Sequence, residues 1–127
     1  MYLLDTNIYL EVLLEQKKYQ TVNKFLKEIS SNEINISDLS FHSIGFFLFK
    51  RNKKDLFLKF ARDIETNDTN ILSLSTRKYQ EVKSVSESFN LDFDDSYQYV
   101  IAKTYNLLLV TFDSDFDKTD LRKYELK

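Results

Sequence analysis

Leu107-Leu108-Leu109-Val110-Thr111-Phe112-Asp113 is the stretch on which the fold turns. Four consecutive apolar residues without polar alternation predict a strand covered on both faces, which requires helices above and below it. Upstream, Asp92 is a plausible helix N-cap with Asp95 three residues on, and the helix that follows is expected to bury Phe93, Tyr97, Val100 and Ile101. Before it, Thr76 to Phe89 carries Tyr79, Val82, Val85 and Phe89 on one side of a helix, and Ile71, Leu72 and Leu74 suggest a strand.

The first half of the chain alternates in the same way. Tyr2 to Leu4 is a short strand ending in Asp5-Thr6-Asn7, whose side chains can cap a helix carrying Ile8, Val12 and Leu13. Val22, Phe25, Leu26 and Ile29 recur at i, i+3, i+4 and i+7, the period of a helix with one buried face. Ile34 to Ile36 reads as a strand, Ser37-Asp38 as the cap of a helix from about Leu39 to Arg51, and Leu56, Phe57, Phe60, Ala61 and Ile64 as another amphipathic helix. Helices alternating with short apolar strands imply the α/β class, a three-layer α/β/α sandwich on a short parallel central sheet.

Composition narrows the function. At 127 residues, 43% hydrophobic and 15% aromatic, the chain can build a core and is expected to form one domain over residues 1–127. Eighteen basic against twenty acidic residues leave a net charge of −2, too balanced for bulk electrostatic binding of nucleic acid. There is no cysteine and one histidine, which excludes disulfides, thiolate metal sites and multi-histidine zinc sites. No basic leader precedes an apolar stretch, and the most apolar run, Phe41 to Phe49, is far shorter than the ~20 residues of a membrane span. The expectation is a cytoplasmic protein with no membrane role. With one glycine and no proline, boundaries must be read from polar clusters at Ser30–Glu33, Asn52–Asp55, Thr66–Asn70 and Phe89–Asp95.

Asp5 directly follows the first strand and Asp113 closely follows the last, so both acids fall on the rim where parallel sheets bind ligands. Asp95 joins them if the chain reverses there. Each acid alone has an ordinary reading as a helix cap, a first-turn acid or a polar loop residue. Crowded together, they would raise one another's pKa values unless a divalent cation neutralised them, and an all-oxygen ligand set suits Mg²⁺ or Mn²⁺.

Leu4-Asp5-Thr6-Asn7, Asp94-Asp95-Ser96 and Leu109-Val110-Thr111-Phe112-Asp113-Ser114-Asp115-Phe116 together resemble the PIN domain, including the VapC-type toxins. Their order, spacing and the total length match across essentially the entire chain. The resemblance implies a Mg²⁺- or Mn²⁺-dependent ribonuclease, with Asp5, Asp95 and Asp113 as metal ligands, Thr111 orienting a ligand or water, and Asp115 auxiliary. It also implies an RNA substrate and an antitoxin-like protein partner. One position departs from the family: the helical glutamate that PIN domains usually carry aligns with Ser43, in the acid-free window Phe41-His42-Ser43-Ile44. His42 and Ser43 are therefore auxiliary candidates, with Asp38 one helical turn earlier.

Four of the eleven phenylalanines, Phe41, Phe46, Phe47 and Phe49, crowd into residues 41–49, more than one helix face can bury, which points to self-association as a homodimer or to a protein partner. Lys50, Arg51, Lys53 and Lys54 form the densest basic cluster and are the RNA-contact candidates. A catalytically weak module binding RNA or protein is the alternative to an enzyme. A receiver-like phosphoacceptor fits less well, because no paired acids follow the first strand and no lysine directly follows the last.

Overall fold

The computed structural model describes residues 1–127. In chain order the elements are β1 (Tyr2–Leu4), α1 (Thr6–Leu13), α2 (Tyr19–Glu28), β2 (Ile34–Ser37), α3 (Asp38–Lys50) and α4 (Lys54–Thr66). They continue as β3 (Asn70–Leu72), α5 (Tyr79–Phe89), α6 (Phe93–Thr104) and β4 (Leu108–Val110), with a 3₁₀ turn over Ser114–Lys118. All four strands are parallel, in the order β3-β2-β1-β4, with Leu3 opposite Asn35 and Leu109 and Leu4 opposite Val110.

The strands are short because each needs only enough residues to load both faces of the sheet. Leu3 and Leu109 pack under Val82, Tyr97, Val100 and Ile101 of α5 and α6. Their neighbours Leu4 and Val110 point the other way, onto Ile8, Val22 and Phe25 of α1 and α2, while Ile36 meets Ile44, Leu48, Phe60 and Ile64 of α3 and α4. The three layers expected from the apolar runs are present. Each fully buried leucine contributes about 2 kcal/mol to this arrangement.

Connections from β1 to β2 and β2 to β3 advance in one direction, whereas the α5–α6 connection returns past both strands to the far side of β1. The reversal places the topological switch between β1 and β4, and the crevice lies beyond their carboxyl ends.

Chain reversals are made almost without glycine. Glu15, Asn52, Asp68, Asn90 and Asn106 take left-handed backbone conformations at the ends of α1, α3, α4, α5 and α6. In each case the next residue's N–H closes back five positions, for example Lys53 to the Leu48 carbonyl and Leu107 to the Ala102 carbonyl. Asn and Asp enter this region at lower cost than other side chains, so they do the work glycine usually does. The one glycine, Gly45, lies inside α3, where a Cβ would come within 3.2 Å of the Phe57 ring.

Two local expectations are corrected. Phe93 is 50% exposed, because it lies in the first turn of α6 and tilts against Tyr79 and Tyr97 rather than entering the core. Leu74 lies beyond β3, which ends at Leu72, and Thr76–Lys78 forms a separate 3₁₀ turn before α5. Beyond Leu121 the chain returns to the sheet: Leu109 N–H donates to the Arg122 carbonyl and Tyr124 N–H donates to the Leu109 carbonyl, forming a parallel bridge beside β4.

Candidate metal centre and active site

Asp5 leaves β1 with its N–H bonded to the Val110 carbonyl at 2.9 Å, so its position is fixed by the sheet itself. Its Oδ1 accepts from Thr6 N–H at 2.8 Å, the α1 cap, and from Gln98 Nε2 at 3.0 Å. Its Oδ2 accepts from the Thr111 hydroxyl at 2.8 Å. Thr111 Oγ1 also accepts from Asp113 N–H, and Asn7 ties to both Thr111 and the Phe112 N–H, lacing the loops after β1 and β4 together. Burial pushes the Asp5 carboxyl pKa up, against the opposing bonds from Thr111, Gln98 and Thr6, and the charge on Asp113 adds to the rise.

Asp95 is set in the first turn of α6, where its N–H donates to the cap Asp92 at 3.0 Å. Asp113 caps the 3₁₀ turn by accepting from Asp115 N–H at 2.8 Å. Folding brings the two together with Asp115: one carboxylate oxygen from each of Asp95, Asp113 and Asp115 lies within 4.8 Å of the others. Asp5 falls outside that tight set and adjoins it through Thr111. Asp95 shows the consequence of the crowding, its pKa pushed up to about 7 by burial first and then by the charges of Asp113, Asp92, Asp5 and Asp115. Three hard oxygen donors in a partly buried, charge-repelled cluster fit a divalent cation such as Mg²⁺ or Mn²⁺.

The α3 side of the crevice is different. Ser40 Oγ accepts from Gln98 Nε2 at 2.9 Å and from Thr6 Oγ1 at 2.9 Å, joining α1, α3 and α6 by neutral groups. Gln98 Oε1 is buried without a partner. Asp38 accepts from the Tyr97 hydroxyl at 2.7 Å and caps Leu39 N–H. Ser43 is half-buried one turn beyond Ser40 and makes no side-chain hydrogen bond, while His42 is exposed beside an apolar hollow lined by Gly45, Phe46, Phe49 and Phe57. Neither is drawn into the acidic cluster.

Lys50, Arg51, Lys53 and Lys54 lie at the far end of α3 and in the turn to α4, about 18 Å along the helix from Asp38 at 1.5 Å per residue. There the Arg51 guanidinium stacks 3.4 Å from the Phe47 ring centroid, and Lys54 lies over Phe49. Gln98 and Ser40 are the crevice residues that sequence reasoning missed. Gln98 lies three positions after Asp95, but α6 is buried on all sides from Ser96 to Ala102, so no periodicity in the sequence marks it out.

An open parallel sheet with a carboxylate cluster at its switch point defines an α/β protein with an acid-lined crevice. The match to the PIN domain model over residues 2–121 places the chain in that family, whose members are generally nucleases. No protein of curated function matches it. Among solved structures, FitAcB from Neisseria gonorrhoeae superposes with a TM-score of 0.81 at 20% identity, covering 98% of this chain and 97% of its own. VapBC2 from Rickettsia felis, bound to a DNA fragment from its promoter, gives a TM-score of 0.80 at 20% identity over 99% of this chain and 98% of its own. The sarcin-ricin loop cleaving toxin VapC20 from Mycobacterium tuberculosis gives 0.77 at 10% identity, covering 98% of both chains. At these identities the likeness is one of fold.

Proposed function

We propose that this chain is a metal-dependent endoribonuclease, the toxin member of a toxin–antitoxin pair, acting in the cytoplasm as a single domain. The observation that carries the reading is the meeting of Asp95, Asp113 and Asp115 beside the pinned Asp5, at the one point of the sheet where strand order reverses. Asp95, Asp113 and Asp115 would hold Mg²⁺ or Mn²⁺, with Asp5 completing the negative wall. Such an ion supplies neutralising charge, a lower pKa for coordinated water and stabilisation of charge on a phosphoryl oxygen. The chain's own contribution is positioning. Thr111 holds Asp5 Oδ2 and the Asp113 backbone at once, and Gln98 holds Asp5 Oδ1. Burial and the neighbouring carboxylates push the Asp95 pKa up to about 7, a penalty on its charged form that a bound cation would relieve.

RNA is the substrate on this reading, with Lys50, Arg51, Lys53 and Lys54 as outlying phosphate contacts. Phe46 and Phe49, 71% and 50% exposed, support a homodimer through segment 41–49 and leave room for an antitoxin-like partner elsewhere. No helix is long and apolar enough to cross a membrane. The test is Mn²⁺ titration by calorimetry followed by cleavage of single-stranded RNA, with Asp5→Asn, Asp95→Asn and Asp113→Asn controls. Cleavage lost in all three folded variants supports the enzyme. Metal binding without cleavage supports instead a non-catalytic PIN module, which the absence of an acid at Ser43 favours.

A further inference from the structure

Beside Asp113 a cleft of about 420 Å³ opens between the start of α2, the loop after β4 and the C-terminal segment. Lys18, Phe112, Asp113, Asp117, Lys123 and Glu125 are among its walls. Lys123 pairs with Asp117 there, but Lys18 has no carboxylate partner for its ammonium. The Lys18 side chain instead lies over the Phe112 ring, 4.7 Å from the centroid. Both residues are tied to α1: Lys18 N–H donates to the buried Glu11 carboxylate at 2.6 Å, and Phe112 N–H donates to Asn7 Oδ1 at 3.1 Å. Asn7 in turn touches Thr111, which touches Asp5. A free cation is therefore registered, through four contacts, to the carboxylates.

A lysine ammonium without an acid partner in a polar cleft suits a phosphate, and an aromatic face beneath it limits the entropy lost on binding. We propose that Lys18 contacts a backbone phosphate of single-stranded RNA adjoining the scissile bond, with Phe112 as its positioning residue. The inference rests on the nuclease reading and extends it from the reacting phosphodiester to its neighbour.

The experiment measures binding of a fluorescein-labelled single-stranded 12-mer RNA by anisotropy across a NaCl series in EDTA, so that binding is read apart from cleavage. Loss of one phosphate contact on a single strand lowers the log–log salt slope by about 0.7, equivalent to about fivefold weaker binding near 0.1 M salt. Lys18→Ala is expected to show both changes and Lys18→Arg to reverse them. Phe112→Leu, which keeps the charge, is expected to weaken binding about twofold with the slope retained. In Mn²⁺, the Lys18→Ala loss should fall on KM rather than kcat. An unchanged slope in Lys18→Ala, with wild-type protein still cleaving RNA, overturns the Lys18 contact and leaves the nuclease standing. Wild-type protein that neither binds nor cleaves RNA overturns both.

Discussion

Helices α3 and α6 both start at the carboxyl rim of the sheet and both are capped there by a side chain, Ser37 and Asp92, yet only α6 brings charge to the crevice. Every residue of α6 from Ser96 to Ala102 is buried, so the helix runs through the interior and its first turn is held against the loop after β4. By contrast, α3 buries Ser40, Ile44 and Leu48 on one stripe and leaves His42, Phe46 and Phe49 outside. Its rim acid, Asp38, is engaged by Tyr97. The crevice is consequently lopsided: the clustered carboxylates come from the ends of β1 and β4 and from α6, while α3 offers Ser40 and an Asp38 already held by Tyr97. An embedded helix can fix an acid against others that repel it, and a helix with an open face is freer to use its surface for partners.

The contrast can be broken most directly at the acids. Asp95→Asn or Asp113→Asn should lower kcat/KM for RNA cleavage by about 100-fold or more, while Asp38→Asn should cost less than about fivefold, read from initial rates on labelled RNA. Equal losses would mean that α3 supplies a working carboxylate after all. Next in size, Ser43→Glu should restore an acid on the α3 side and tighten Mn²⁺ binding about tenfold by calorimetry. Unchanged affinity would place that face beyond the ion's reach.

Titration gives a smaller effect with a definite sign. In the folded, metal-free protein Asp95 holds its proton up to about 7, whereas the unfolded chain releases it near 3.8. Between those values the native state binds more protons, so stability should fall as pH rises from about 4 to about 7. The burial-raised Asp5 acts in the same direction. Thermal melts in EDTA should drop by a few degrees across this window, and Asp95→Asn or saturating Mn²⁺ should flatten the trend. Gln98→Leu, which removes a buried donor from Asp5 and Ser40, should cost about 1–2 kcal/mol in urea unfolding. Smallest of all, Phe46→Ser should leave stability within about 0.5 kcal/mol while lowering the dimer fraction in sedimentation.

Much of the architecture was legible because buried parallel strands leave a plain mark. Leu107 to Val110 is apolar at every position since both faces of β4 are covered, and Leu3 beside Leu4 says the same of β1. Ile71 reads as core by type but is 49% exposed, because β3 is an edge strand and type alone does not reveal the edge. At the site, Asp5 was legible as both cap and ligand candidate, and it is a cap in addition to lining the crevice. Gln98 was hidden for a physical reason: a helix buried on all sides has no solvent stripe, so a polar residue within it cannot be sorted by periodicity. Asp115 looked peripheral along the chain and joins the tight carboxylate set only because the 3₁₀ turn folds it back onto Asp113.

The bridge between Leu109 and the segment after Leu121 also bears on how the molecule resists misassembly. By occupying the N–H and carbonyl of Leu109, Arg122 and Tyr124 sheathe a flank of β4 that would otherwise stand open to pairing with another chain. A proteolytic nick between Lys118 and Leu121 would loosen this sheath and, with it, one wall of the groove beside Lys18. Clumping in solution and weakened grip on RNA would then arise from a single cut.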